Sequence, residues 1–331
     1  MRPLRRSTVY DVAKEAGVAA STVSRAFTNP RRVSPATREH ILGVAEQLGY
    51  RPNPLASALQ SGRTATVALL VPDITNPHFF GTIRGAERRA STAGLTFILS
   101  HTEESGHNEQ RQIERLERSV DGFVLAASRM SDETTVELAR EHNLALVNRQ
   151  IEGLPGASVD DGRGSWQIVE HLASLGHRSL AYLSGPKDSW LAGERWKALR
   201  AAAAGHGMRA TRLGPFSPKM ESGAAAADAA LVDGATALVA HNDLLAIGIL
   251  RRLAERGLDV PRDRSVVGYD DIFGADLCVP ALTTLSGPHE TAGRAAVELL
   301  LERVTRPGTP PRQVVLPPHL VVRDSTGPAP V

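Results

Sequence analysis

Ser21, Thr22, Ser24 and Arg25 set three short hydroxyls and a guanidinium along one brief stretch. Hydroxyls both donate and accept, and a guanidinium forms paired bonds to guanine. A helix that carried these groups into a DNA groove could therefore read base edges. A second set stands just after apolar runs: Asp73, Phe79, Asn148, Arg149, Asn242 and Asp270. Ligands of open α/β sheets bind beyond the carboxyl ends of the strands, so such positions are candidate ligand contacts. The adjacent Asp270 and Asp271 suggest paired catalytic carboxylates, but neighbours at a strand end point in opposite directions and should not share a substrate. No Gly-x-x-x-x-Gly-Lys-Ser/Thr phosphate loop, Gly-x-Ser-x-Gly elbow or His-Glu-x-x-His metal site occurs. The eleven histidines are scattered, and His101 and His107 read as exposed loop residues. The expectation is a chain that is not an enzyme and has neither cofactor nor metal site.

The elements that must position the first set are legible around it. Thr8 and Asp11 form a capping box, and Val9, Val12, Ala13 and Ala16 share one helical face. Gly17 stops that helix, and a second begins near Ala19 or Ala20 with Val23, Ala26 and Phe27 inward. Ser34-Pro35 opens a third, with Ile41, Val44, Ala45 and Leu48 inward and Gly49 at its end. Two short helices around a glycine turn, braced by a third, make a helix-turn-helix whose second helix fits a major groove. The competing reading of the same pattern is a packing module with a solvated polar face.

The individual residues favour the first reading. Thr8-Val9-Tyr10-Asp11-Val12-Ala13, Ala16-Gly17-Val18, Ser21-Thr22-Val23-Ser24-Arg25, Val33-Ser34, Thr37-Arg38 and Leu48-Gly49-Tyr50-Arg51-Pro52-Asn53 strongly resemble the lactose-repressor (LacI/GalR) family. The resemblance implies a DNA-binding transcriptional regulator, a repressor, that binds double-stranded operator DNA as a homodimer. By the same resemblance Ala20, Ser21 and Arg25 occupy base-reading positions. Thr8, Tyr10, Thr22, Ser24, Arg32 and Asn53 occupy positions that contact or orient the phosphates. Ala19 stands where the family often has a serine cap, and Ala20 where a larger side chain often reads a base, so readout leans on Ser21 and Arg25.

Asn53-Pro54-Leu55-Ala56-Ser57-Ala58-Leu59-Gln60 offers an N-cap, a proline at the first helical position and good helix formers. So short a helix is marginal alone in water, and a plain interdomain linker is the alternative reading. In the family this stretch is a hinge helix that pairs in the dimer and enters the minor groove. Leu59 matches its wedging leucine and Ala56 the small residue beside it.

Beyond Thr66, apolar runs alternate with helical stripes. The runs are Val67–Val71, Leu95–Ser100, Gly122–Ala126, Leu144–Asn148, Leu180–Ser184, Thr236–Ala240 and Ser265–Tyr269. Phe79, Ile83, Ala86 and Ala90 form one stripe; Trp166, Val169, Leu172 and Leu175 form another. This alternation predicts parallel, doubly wound α/β structure, and its length predicts two lobes. Pro72-Asp73-Ile74-Thr75-Asn76-Pro77, His241-Asn242-Asp243 and Val266-Val267-Gly268-Tyr269-Asp270-Asp271 extend the resemblance to the family's effector domain, which looks like a periplasmic sugar-binding protein. The resemblance implies chain crossings near Asp160, Ser286 and Pro318, and it sets Arg195 at the family's ligand-binding arginine. Trp190 and Phe216 could present flat faces to a ring, and an Arg with an Asp across a cleft suits a hydroxyl-rich molecule. The alternative for Arg195 and Asp270 is a salt bridge or a capping carboxylate. Gly287 departs from the family pattern, where some members have a ligand-contacting polar residue. The implied effector is a sugar or sugar derivative, with a nucleoside as the second reading.

The expected organisation is a helix-turn-helix domain over 1–52, a hinge over 53–63 and a two-lobed effector and dimerisation domain over 64–331. Charge follows it. Nine basic residues stand against four acidic ones in the first 62 positions, a net +5; with the whole chain at +2, the rest carries −3. A basic end on an acidic body suggests that the small end meets a polyanion. The only cysteine, Cys278, permits no intrachain disulfide and fits a reducing cytoplasm. The basic N-terminus lacks the apolar segment of an export signal, which argues against a transport receptor. The longest aliphatic run, Val67–Val71, is too short to cross a bilayer.

Overall fold

The computed structural model describes residues 7–28, 30–51 and 63–330. Its contacts divide into a unit over Met1–Ala65 and a unit over Thr66–Val331.

In the smaller unit, helix α1 (Val9–Glu15) starts at Thr8, whose side chain accepts from the Asp11 amide while the Asp11 carboxylate accepts from the Thr8 amide. Gly17, at φ +66°, makes the left-handed turn that a side chain would resist. Helix α2 (Ala20–Thr28) follows, then α3 (Pro35–Gln47), capped by Ser34. Val12, Ala13, Val23, Ala26, Ile41, Val44 and Ala45 form the core, with the Phe27 ring edge-on to Tyr50 at 5.8 Å. Arg38 Nε donates to the Ala26 carbonyl at 3.4 Å and so ties α3 to α2. The packing buries the inward stripe and leaves Ser21 and Arg25 exposed. Ala19 has no side-chain oxygen for the α2 amides. Ala19→Ser should therefore stabilise this unit by about 1 kcal/mol, measurable as a rise in its unfolding midpoint.

The larger unit is two lobes, each a six-stranded sheet between helix layers. Lobe 1 contains β1 (Thr66–Val71), α4 (His78–Thr92), β2 (Thr96–His101), α5 (Gly106–Leu116), β3 (Gly122–Ala126), α6 (Asp132–Glu141), β4 (Leu144–Val147) and β5 (Gly156–Val159). Lobe 2 contains α7 (Asp161–Ser174), β6 (Ser179–Leu183), α8 (Trp190–Gly205), β7 (Arg209–Leu213), α9 (Gly223–Asp233), β8 (Ala237–Ala240), α10 (Asp243–Glu255), β9 (Ser265–Tyr269) and β10 (Thr283–Ser286). The chain then returns to lobe 1 for α11 (His289–Thr305) and β11 (Gln313–Leu316), and ends in lobe 2 with β12 (His319–Val321). Strand orders are β11-β5-β4-β3-β1-β2 and β12-β10-β9-β8-β6-β7, parallel except where β12 meets β10. The three crossings, around Asp160, Gly287 and Pro318, fall where the sequence reading put them.

Strands buried on both faces explain the continuous apolar runs. On β1, Val67, Leu69 and Val71 pack with α4 and α11, while Ala68 and Leu70 face the opposite core. On β6, Leu180 and Tyr182 face one core, and Ala181 and Leu183 the other. Helices α4 and α11 cross closely because Gly85 and Gly293 carry no Cβ. One at Gly85 would lie 1.9 Å from the Glu290 carbonyl oxygen, and one at Gly293 2.1 Å from that of Thr82.

One stripe needs correction. In α7 the buried residues are Ser165, Ile168, Val169 and Leu172, whereas Trp166 is 47% exposed and packs on His206. Five strands escaped the sequence reading: β5, β7, β10, β11 and β12. Of these, β7, β11 and β12 lie at sheet edges and are half-exposed, so they lack the continuous apolar signal.

Candidate effector cleft and nucleic-acid interface

Between the lobes lies a buried polar cluster built on Arg195. This α8 side chain donates from Nε to Asp161 Oδ1 at 3.0 Å and from NH2 to Asp270 Oδ1 at 3.4 Å, while NH1 donates to the His241 carbonyl. Its guanidinium carbon lies 4.1 Å from the centre of the Tyr269 ring, a cation–π contact. Gly185 lets the His241 ring approach, since a Cβ there would sit 2.4 Å from that ring. The Tyr182 hydroxyl meets His241 Nδ1 at 3.0 Å. From lobe 1, His78 at the start of α4 brings Nδ1 to 3.1 Å from Asp270 Oδ1, which joins the lobes.

Charge balance is tight. Burial alone would raise the Asp270 carboxyl, but facing His78 and Arg195 hold it well below the usual carboxylate range. On Asp161 burial outweighs the same arginine and pushes the pKa up. Burial works against the Arg195 charge, yet Asp161 and Asp270 more than offset it and raise its pKa. Burial, reinforced by His78, pushes His289 down to about 3.

A cavity of about 10 Å³ lies within this cluster, lined by Asn148, Asp161, Leu191, Arg195, Tyr269, Asp270, Ser286, Gly287 and His289 among others. That is room for roughly one water molecule. A larger cavity of about 390 Å³, bordered by Trp190, Asp161, Glu194, Lys197 and Gln150 among others, shares Val159 and Asp161 with the small one. Ligand sites usually have such a volume.

Of the residues chosen from sequence, Asn148, Arg195 and Asp270 meet at the small cavity and Trp190 borders the large one. Asn148 takes φ +53° just past β4, with Nδ2 3.3 Å from His78 Nε2. The others are engaged by the fold itself. Asp73 Oδ1 accepts from the amide and hydroxyl of Thr75, at 2.8 and 2.7 Å. Phe79 belongs to the lobe 1 core. Arg149 NH1 donates to the Ser128 and Met130 carbonyls, and NH2 to Asp132. Asn242 caps α10 through the Leu245 amide and donates to the Pro218 carbonyl. Phe216 packs half-buried against the lobe 2 core. Asp271 turns away from the cleft to pair with Arg323 at 2.7 Å, so the two adjacent carboxylates do not share a site. His78, His289, Asp161 and Tyr269 went unnoticed in the sequence; only the end-of-strand position of Tyr269 could have signalled one of them.

In the smaller unit Thr8, Ser21, Arg25 and Arg32 are exposed, Tyr10 is 73% exposed, and Ala20, Thr22 and Ser24 are half-buried. Thr8 also serves as the α1 cap. Asn53, Ala56 and Leu59 lie outside the described residues.

A helix-turn-helix unit joined to a two-lobed ligand receptor defines a transcriptional regulator of the periplasmic-binding-protein-like class. Residues 8–53 match the model for bacterial regulatory proteins of the lacI family, and residues 169–326 match that for a periplasmic binding protein-like domain. The HTH-type transcriptional regulator DegA of Bacillus subtilis (strain 168) is 34% identical, covering 98% of this chain and 99% of its own. The lac repressor dimer bound to operator and the anti-inducer ONPF superposes with a TM-score of 0.86 at 26% identity, over 98% of this chain and all of that one. A complex of the transcriptional regulator CelR with cellobiose gives a TM-score of 0.72 at 32% identity, over 97% and 100%. The chain belongs to the lacI family of bacterial regulatory proteins. Its relatives are transcriptional regulators, which supports a non-enzyme role at family level. Among the described residues no helix is long and apolar enough to cross a membrane.

Proposed function

We propose that this chain is a homodimeric repressor that binds a pseudo-palindromic operator and changes its operator affinity when a sugar or sugar derivative enters the interlobe cleft. The observation that carries the effector reading is Arg195, fixed by Asp161, Asp270 and Tyr269 at the wall of the small interlobe cavity. Guanidinium and carboxylates side by side offer paired donors and acceptors to vicinal hydroxyls. Trp190 on the adjoining cavity supplies a flat apolar face for a ring. The relative bound to cellobiose supports a carbohydrate over the nucleoside reading.

Ala20, Ser21 and Arg25 read bases, whereas Thr8, Tyr10, Thr22, Ser24, Arg32 and Asn53 position the duplex. Leu59, beside Ala56, wedges the minor groove. The dimer is supported by an apolar patch on the loop between β9 and β10, where Phe273 is 81%, Leu277 66% and Val279 94% exposed. Surfaces of this kind mark protein–protein contacts. Footprinting on selected DNA tests the reading. Two half-sites spaced by about one helical turn are expected; a single asymmetric half-site bound by a monomer would refute the dimer. A thermal-shift screen of sugars and nucleosides identifies the effector class.

A further inference from the structure

Beneath the cavity, polar atoms outnumber the hydrogen bonds available to them. His78, Asp270 and His289 each bring one ligand-type atom into a group that lies within 4.8 Å. The two imidazoles meet at 4.4 Å between ring centres and 73° between planes. Both nitrogens of His289, Nδ1 of His78 and Oδ1 of Asn148 are buried without a hydrogen-bond partner among the described residues. His78 Nδ1 lies 3.1 Å from Asp270 Oδ1, close enough for one ion to contact both. Buried polar atoms left unpaired in a folded protein call for an ion, a water or a function.

We propose that His78, His289 and Asp270 form a three-ligand site for a zinc-like divalent transition-metal ion, with a further coordination position open toward the interlobe cavity. Two imidazoles and one carboxylate are an established donor set for zinc with an open position, whereas magnesium and calcium favour all-oxygen shells. The outer groups fit as well. An imidazole that binds a metal through one nitrogen donates from the other to an oxygen, which fixes its ring. Asn148 stands at His78 Nε2, and turning its amide over puts the unpartnered Oδ1 where Nδ2 now lies. Gly287 provides the space: a Cβ there would lie 2.8 Å from Val159 Cγ2 and 3.2 Å from His289 Cε1. Arg195 remains tied to Asp161 and the His241 carbonyl.

The ion would link lobe 1, through both imidazoles, to lobe 2, through Asp270. The site does not depend on the sugar reading, because its test needs neither sugar nor DNA. The 331-residue chain, stripped with a chelator, is titrated calorimetrically with Zn²⁺ and spectroscopically with Co²⁺. One equivalent per chain is expected, and His78→Gln and His289→Ala should each weaken it at least about tenfold. X-ray absorption of the Zn²⁺-loaded parent should show two imidazoles and one carboxylate, a readout independent of how the variants fold. Absence of saturable micromolar binding, undiminished binding in both variants, or a shell without two imidazoles would overturn the proposal.

Discussion

Arg195→Ala is expected to abolish the effector response and to destabilise the receptor unit by about 3–5 kcal/mol. The second effect follows from what the substitution leaves behind. Asp161 and Asp270 are buried beside the same guanidinium, and removing one partner of a buried charge cluster strands the others without compensation. The first follows because Arg195 is the only guanidinium lining the small cavity among the described residues. Operator binding without effector should persist, since the helix-turn-helix has its own core. Thermal unfolding and operator titrations across effector concentrations check both effects. A variant that unfolds like the parent and still responds would place the ligand elsewhere.

Arg25→Ala should leave the fold nearly untouched and cost about 1–3 kcal/mol on operator DNA. Its side chain is exposed near the end of α2, outside the core of Val12, Val23, Ala26 and Ile41. Exposed substitutions of this sort usually shift stability by no more than about 0.5 kcal/mol. The loss should concentrate at one base position and relax preference there. Arg32→Ala should instead lower affinity for all sequences and reduce the salt slope by about one. Binding to operator and to random DNA over a salt series separates the two. Equal losses on both DNAs for Arg25→Ala would remove its base-reading role.

The capping box at Thr8 and Asp11, the turn at Gly17 and the Ser34-Pro35 start are local signals, and each is used as read. Six of the seven apolar runs became central strands because parallel sheets bury both faces, and the seventh became the edge strand β2. The cleft was less legible. The end-of-strand rule marks Asp270 and Asn242 alike, yet only tertiary contacts decide that one faces the cavity and the other caps a helix. Phe79 carried two readings, helical stripe and ligand contact, and packing gave it to the core. His78 and His289 meet only because α11 returns to lobe 1 and crosses α4 at Gly85 and Gly293. No local pattern near either histidine encodes that crossing.

If effector and operator binding are coupled as proposed, each must shift the other by the same factor. Effector affinity is titrated in the 331-residue chain with and without saturating operator. The lobes are joined through Asp270 and His78, so an effector that changes this contact would alter lobe closure. A coupling of about 1–3 kcal/mol corresponds to roughly 5- to 150-fold, and it must act equally in both directions. Operator is expected to shift effector affinity by the same factor by which effector shifts operator affinity. Identical effector affinity in the presence and absence of operator would contradict it.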